Sequence, residues 1–127
     1  MSTDQIKQSY EAMPYPDLCY TQTHPDRLAT LATLLGLKPA PVTRCRVLEL
    51  GCAIGGNLIP MAYGLPDSEF VGIDLSPRQI DMGQTAVRDL ALSNITCTPP
   101  TSWTLGRNGG RLITSSPMGC IRGRRRR

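Results

Sequence analysis

The stretch 46–74 constrains the fold of this chain more than any other part of it. It begins with the apolar run Val47–Leu50, whose branched side chains are typical of a buried strand. A glycine-bearing turn, 51–56, leads into an apolar segment with helical character that begins at Asn57, and a second strand-like run then ends at Asp74. The order of strand, glycine turn, helix and strand predicts a βαβ unit in a parallel sheet.

The residue types in this unit are suited to binding the nucleoside part of a cofactor. Glycine is needed where the backbone has a positive φ or where a ligand lies against it. The unpaired N–H groups at the start of a helix attract a carboxylate or phosphate. Asp74 follows Gly51 by 23 residues, near the spacing of about 20 for an acid that binds ribose hydroxyls. Glycine also occurs at strand–helix joints for packing alone, but the acid after the second strand favours the binding site.

The segment 49–55, ELGCAIG, resembles motif I of the class I S-adenosylmethionine-dependent methyltransferases, E/D-x-G-x-G-x-G, and 71–76 resembles the strand that follows it. The block from Tyr15 to Ile95 is similar to bacterial members that also carry a methyltransferase regulatory domain. The resemblance implies S-adenosylmethionine as cofactor, with its methionine end on the glycine turn, its ribose on Asp74, and Glu49 organising the loop beneath. The predicted cofactor-binding residues are Glu49, Gly51, Cys52, Ala53, Gly55, Asn57, Asp74 and Leu75.

Ala53 departs from the family pattern, because it stands where the second glycine is usual. Its methyl group is expected to weaken or shift cofactor binding. The competing interpretation is a nicotinamide- or flavin-binding Rossmann domain, whose G-x-G-x-x-G pattern would have to use Gly51, Ala53 and Gly56. The acid two residues before Gly51 favours the methyltransferase interpretation.

The segments before the first strand predict an arm and a helix. Pro14-Tyr15-Pro16 disfavours helix, so residues 1–22 are expected to be an extended arm that packs on the sheet or covers the cofactor. Thr23-His24-Pro25 predicts a helix start with His24 as a cap or loop residue rather than a catalytic residue. The helix is expected to end at Gly36 and to pack on the sheet through an apolar stripe, Leu28, Leu31, Leu34 and Leu35.

After Asp74 the sequence predicts another helix and a third strand. The segment 76–79, SPRQ, has the S-x-x-Q capping box with proline at the first helical position, and the helix should extend to about Leu92. Its expected buried side is Ile80, Met82 or Gly83, Val87 and Leu90. A third strand is predicted to begin with Ile95–Thr98. The family usually has an acidic residue near the adenine after this region, but no acid occurs after Asp89.

The tail, 99–127, differs from the rest in charge and composition. It holds seven arginines and no acid, so the preceding residues contain seven basic and ten acidic residues, a net charge of −3, although the chain as a whole is at +4. Its Arg, Gly, Pro, Ser and Thr content predicts disorder. The arginines are typical of a solvated basic end and also fit a nucleic-acid-binding arm. A further hypothesis is that the tail is translated out of frame.

Together these features predict an α/β protein of one domain, an incomplete Rossmann-like doubly wound parallel sheet with a disordered basic tail. The expected divisions are an arm, 1–22, a partial cofactor-binding domain, 23–98, and the tail, 99–127. The 127 residues are too few for a complete methyltransferase sheet, so the expected function is the cofactor-binding half of a truncated methyltransferase. The alternatives are a non-catalytic cofactor-binding fragment and a nucleic-acid-binding module.

Several other functional features are predicted to be absent or are left open. The five cysteines include no C-x-x-C pair and there is one histidine, so no metal site is expected. The chain has neither a signal-peptide pattern nor an apolar run long enough for a membrane span, which predicts a cytoplasmic location. No catalytic residue, methyl acceptor or oligomeric state is predicted.

Overall fold

A computed structural model describes residues 3–13, 18–100 and 112–114 of the chain. Helices and strands alternate through most of it. They are, in chain order, α1 (Thr3–Ala12), α2 (Pro25–Leu34), β1 (Arg46–Leu50), α3 (Leu58–Gly64), β2 (Glu69–Ile73), α4 (Pro77–Asp89), β3 (Ile95–Thr98) and β4 (Leu112–Thr114). Two short 3-10 turns, Thr21–Thr23 and Val42–Arg44, precede α2 and β1. The predicted α/β fold and βαβ unit are confirmed.

The four strands form one parallel sheet in the order β3-β2-β1-β4. In register, Val47 of β1 lies beside Phe70 of β2, and Phe70 lies beside Ile95 of β3. Since β2 and β4 flank β1 on opposite sides, the direction in which the sheet grows reverses at β1. Ligands of doubly wound folds bind outside the carboxyl ends of the strands at such a reversal.

The core lies where α3 packs against β2 and α4 packs against β3. Val47, Phe70 and Leu58 have no exposed surface, and Ile80 of α4 is also buried. Strands covered by helices are expected to be apolar along their length, because both faces lie in the interior. This packing fixes the carboxyl ends of β1 and β2, from which the candidate site is built.

Helix caps define the starts of α2 and α4 as predicted. The imidazole of His24 accepts a hydrogen bond from the Asp26 N–H, and the hydroxyl of Ser76 accepts one from the Gln79 N–H at 3.4 Å. These contacts confirm His24 as a cap and confirm the capping position of Ser76. Helix α4 ends at Asp89, earlier than the predicted Leu92, because Ala91 has left-handed backbone.

The predicted buried face of α2 is confirmed at Leu28, which packs against the core, and is wrong for the other three leucines. Its buried residues are Pro25, Ala29 and Ala32, whereas Leu34 and Leu35 are each 78% exposed. The alanines recur at helical spacing on the side nearest the core, and their small side chains allow a close approach that leucines would block. In α4, Gly83 is buried and Met82 is half exposed, which decides between the two residues that the sequence left open.

Two segments near the ends of the chain also differ from expectation. Thr3–Ala12 is helical rather than extended, because the prolines that disfavour helix begin only at Pro14. Leu112–Thr114 forms β4 within the tail predicted to be disordered. Residues 101–111 and 115–127, including the arginine cluster, lie outside the described residues. Within the part of the chain that the structure describes, no helix has the length and apolar character needed to cross a membrane.

Candidate functional site

The turn between β1 and α3 contains three residues with left-handed backbone. Gly51, Ala53 and Gly55 have φ values of 77°, 50° and 87°. The N–H groups of Gly51 and Cys52 both donate to the carbonyl oxygen of Ile73, at 2.7 and 3.2 Å, which attaches the turn to the end of β2. Left-handed backbone at every second residue gives a physical reason for the alternating glycines of motif I.

Asp74, the first residue after β2, connects two loops. Its Oδ2 accepts a hydrogen bond from the Ala53 N–H, and its Oδ1 accepts one from the Ser76 N–H, both at 2.9 Å. An ionised carboxylate has about four acceptor positions, so each oxygen can accept a further bond from a ligand hydroxyl. The predicted ribose-binding acid therefore lies directly against the predicted cofactor turn.

A second polar group lies on the other side of the turn, around Asn57. The Asn57 Nδ2 group donates to Glu49 Oε1 at 2.7 Å and to Thr23 Oγ1 at 3.0 Å. Its Oδ1 accepts from the Tyr20 N–H at 2.8 Å. The side chain of Asn57 is thus occupied by protein partners, so a direct cofactor contact from this residue would have to use its backbone. Glu49, before the turn, is joined in this way to Asn57, after it, and its role beneath a cofactor stays a prediction.

Two glycines outside the turn fix its position from behind. A methyl group on Gly72 of β2 would lie 2.7 Å from the Sγ of Cys52, and one on Gly83 of α4 would lie 2.8 Å from the carbonyl oxygen of Ile54. Real carbon contacts are longer than this, so any side chain at either position would push the turn away. The turn is therefore packed on β2 through the Cys52 side chain at Gly72 and on α4 through the Ile54 backbone at Gly83.

Cys52 is a buried residue of the turn, and its thiol is unreactive. Its hydrogen bond with Cys97 and its burial raise the pKa of Cys52 well above the usual range, and the nearby charges of Asp74 and Glu49 act in the same direction. A thiol with a raised pKa stays protonated and is a poor nucleophile. Cys52 therefore contributes packing rather than covalent chemistry.

The eight predicted cofactor-binding residues come together at this carboxyl edge of the sheet. Leu75, next to Asp74, is 50% exposed and adds an apolar surface to the rim, as Leu50 does at the end of β1. Contact of the eight with a cofactor stays a prediction. Among the described residues, no group of three or more His, Cys, Asp and Glu side chains is arranged to hold a metal ion.

Sequence reasoning missed four residues of the site: Tyr20, Thr23, Gly72 and Gly83. The two glycines had a detectable signal, because an isolated glycine inside a strand or helix indicates close approach of another backbone. Tyr20 and Thr23 had none, since their bonds to Asn57 join positions 37 and 34 residues apart.

Comparison with known families and proteins agrees with this geometry. A family model described as a putative methyltransferase matches residues 43–104, from just before β1 to just beyond β3. The uncharacterised protein RP789 of Rickettsia prowazekii is 50% identical over 86 residues, which cover 68% of this chain and 16% of that protein. A tRNA (guanine-N(7)-)-methyltransferase of Chloroflexus aggregans is 36% identical over 87 residues, covering 68% of this chain and 36% of that protein.

A solved structure extends the similarity to three dimensions. PKMT2 from Rickettsia typhi in complex with AdoHcy superposes with a TM-score of 0.68 and 33% sequence identity, over 79% of this chain and 19% of that chain. This chain thus spans well under half the length of the relatives it matches, and the resemblance to members with a regulatory domain stays a prediction. The motif I turn, the acid after β2, the strand order and these similarities agree on one assignment. The described part of the chain has the cofactor-binding fold of the class I S-adenosylmethionine-dependent methyltransferases and is similar to the corresponding part of those proteins.

Proposed function

We propose that this chain binds S-adenosylmethionine at the carboxyl edge of β1 and β2 and provides the cofactor-binding part of a methyltransferase. The observation that supports this most strongly is the carboxylate of Asp74, bonded at 2.9 Å to the Ala53 N–H of a turn with three left-handed residues. AdoHcy, bound to PKMT2 from Rickettsia typhi, is what S-adenosylmethionine becomes after losing its methyl group.

The residues at this edge are compatible with such a cofactor. A Cβ added to Gly51 would meet nothing within 4 Å, so open space lies beside the backbone there. Asp74 has free acceptor positions for ribose hydroxyls, and Leu75 and Leu50 provide apolar surface. The turn, the Asp74 carboxylate and the two leucines therefore provide chemically suitable neighbours for the amino-acid, ribose and base parts of S-adenosylmethionine.

The bound cofactor would supply an electrophilic methyl group on its sulfonium. This chain's own residues would bind and orient it: the turn holds the methionine end, Asp74 holds the ribose, and Glu49 supports the turn from below. Fixing the cofactor in one orientation lowers the entropic cost of reaction with a nucleophile. Proton removal from the acceptor is assigned to no residue of this chain.

The remaining parts of the proposed function are not tied to particular residues of the described structure. The methyl acceptor is unassigned, because fold does not determine substrate. Nucleic-acid binding by the arginines of the tail and translation of the tail out of frame both concern residues outside the described part of the chain, and both remain proposals. So does a cytoplasmic location.

Calorimetric titration of the full chain tests cofactor choice. We expect saturable binding of S-adenosylmethionine and AdoHcy and none of NAD at the same concentrations. Tighter binding of NAD would instead support the dinucleotide alternative. Incubation with methyl-labelled S-adenosylmethionine and a cell extract then distinguishes an active enzyme from a non-catalytic fragment. We expect the chain to bind the cofactor without transferring the label.

A further inference from the structure

The hydrogen bonds of Asn57 form a closed circuit with the segment before α2. Thr23 Oγ1 lies 2.8 Å from the Tyr20 carbonyl oxygen and donates its single hydrogen there. It then accepts from Asn57 Nδ2 at 3.0 Å, while the Tyr20 N–H donates back to Asn57 Oδ1 at 2.8 Å. The second hydrogen of Nδ2 goes to Glu49. Every polar atom of the Asn57 side chain is thus used.

The partners also fix the orientation of the Asn57 amide. A backbone N–H can only donate, so the Tyr20 N–H requires the oxygen of the amide. On the other side, Glu49 Oε1 accepts from the nitrogen of the amide at 2.7 Å. Because the two partners lie on opposite sides, a flipped amide would lose both bonds. Asn57 is 5% exposed, and such losses are costly for a buried amide.

The circuit joins the segment Tyr20–Thr23 to both ends of the cofactor turn. Glu49 lies two residues before Gly51, and Asn57 lies two residues after Gly55. Any ligand that fixes the turn therefore also fixes the side chain on which the segment rests. Tyr20 itself is 44% exposed at this edge of the sheet, which leaves surface for contact with a ligand.

We propose that Asn57 is a positioning residue that holds Tyr20–Thr23 as one wall of the cofactor site, so that cofactor binding and ordering of this segment stabilise each other. The inference rests on the proposed function and specifies which contacts join the end of the N-terminal arm to the cofactor turn. Coupling of this kind is reciprocal. If the cofactor orders the segment, then loosening the segment lowers the affinity for the cofactor.

A matched pair of variants at Thr23 tests the wall without touching the turn. Thr23→Ser keeps the hydroxyl that receives the Asn57 bond, and Thr23→Val replaces it with a methyl group of similar shape. In the full chain, titrated with AdoHcy, we expect Thr23→Ser to bind within about twofold of the wild type. Thr23→Val loses both hydrogen bonds of the hydroxyl and should bind at least about fivefold more weakly. Equal affinity of wild type and Thr23→Val would overturn the inference.

Amide hydrogen exchange separates positioning from general stability. Saturating AdoHcy should slow exchange at the Tyr20 N–H about tenfold in the wild type and leave it unchanged in Asn57→Ala at equal saturation. The same slowing in both proteins would contradict the role of Asn57. If the wild type binds no AdoHcy, the proposed function fails along with the wall. In that case, faster exchange of the Tyr20 N–H in ligand-free Asn57→Ala than in ligand-free wild type would confirm the hydrogen bond between Tyr20 and Asn57 but not its role in cofactor binding.

Discussion

Ala53 is the residue at which this chain departs most clearly from motif I. Its φ of 50° lies in the left-handed region, where an L-residue other than glycine has a cost of roughly 1–2 kcal/mol. The hydrogen bond from its N–H to Asp74 at 2.9 Å compensates for part of that cost. The alanine therefore keeps the conformation of the motif at the expense of stability.

Replacing Ala53 by glycine should stabilise the protein. We expect Ala53→Gly to raise the free energy of unfolding by about 1 kcal/mol, because glycine takes a positive φ without steric cost. Denaturant unfolding measures the change. Ala91, with a φ of 52° after α4, is the matched control outside the site. Ala91→Gly should give a similar gain in stability without changing cofactor affinity, and a loss of stability in Ala53→Gly would contradict this account.

Among the helices, α4 determines where the cofactor turn lies. It contacts the turn through Gly83, opposite the carbonyl oxygen of Ile54, and its N-cap is Ser76, whose N–H donates to Asp74. Glycine in the middle of a helix destabilises it by about 1 kcal/mol relative to alanine. The close approach at Gly83 explains why such a glycine is tolerated here.

Two helix glycines should respond oppositely to alanine. Gly83→Ala should lower the free energy of unfolding by about 1–3 kcal/mol despite the better helix former, since its methyl group would lie 2.8 Å from a backbone oxygen. Gly64→Ala, at the end of α3, has no atom within 4 Å of the new methyl and should gain about 0.5 kcal/mol. Thermal unfolding of both variants measures the difference in stability. A Gly83→Ala protein more stable than Gly64→Ala would contradict the prediction.

On the scale of the whole molecule, the local parts of the fold were predictable and the long-range contacts were not. Strands β1, β2 and β3, the caps at His24 and Ser76, and the position of Asp74 follow from periodicity and turn chemistry within a few residues. The circuit through Asn57 depends on pairs far apart in sequence. Strand β4 is only three residues long, and its place beside β1 depends on sheet pairing rather than on its own sequence.

The leucines of α2 show a further reason why prediction from sequence was incomplete. Helical spacing correctly indicates a helix, but two adjacent faces of it satisfy an apolar pattern, and packing distance selects the one with Ala29 and Ala32. The more hydrophobic face, with Leu34 and Leu35, is left exposed. Hydrophobicity alone therefore predicted the element but not its orientation.

The most direct measurement of the central claim is the affinity of the full chain for S-adenosylmethionine with Asp74 changed to asparagine. Asp74→Asn keeps the size of the side chain but removes the charge and places an amide N–H₂ against a backbone N–H. We expect affinity to fall roughly 10–100-fold, as for loss of hydrogen bonds to a charged group. Asp67→Asn, the same change at an exposed position before β2, should bind within about twofold of the wild type. Unchanged affinity in a folded Asp74→Asn protein would contradict the assignment of this site.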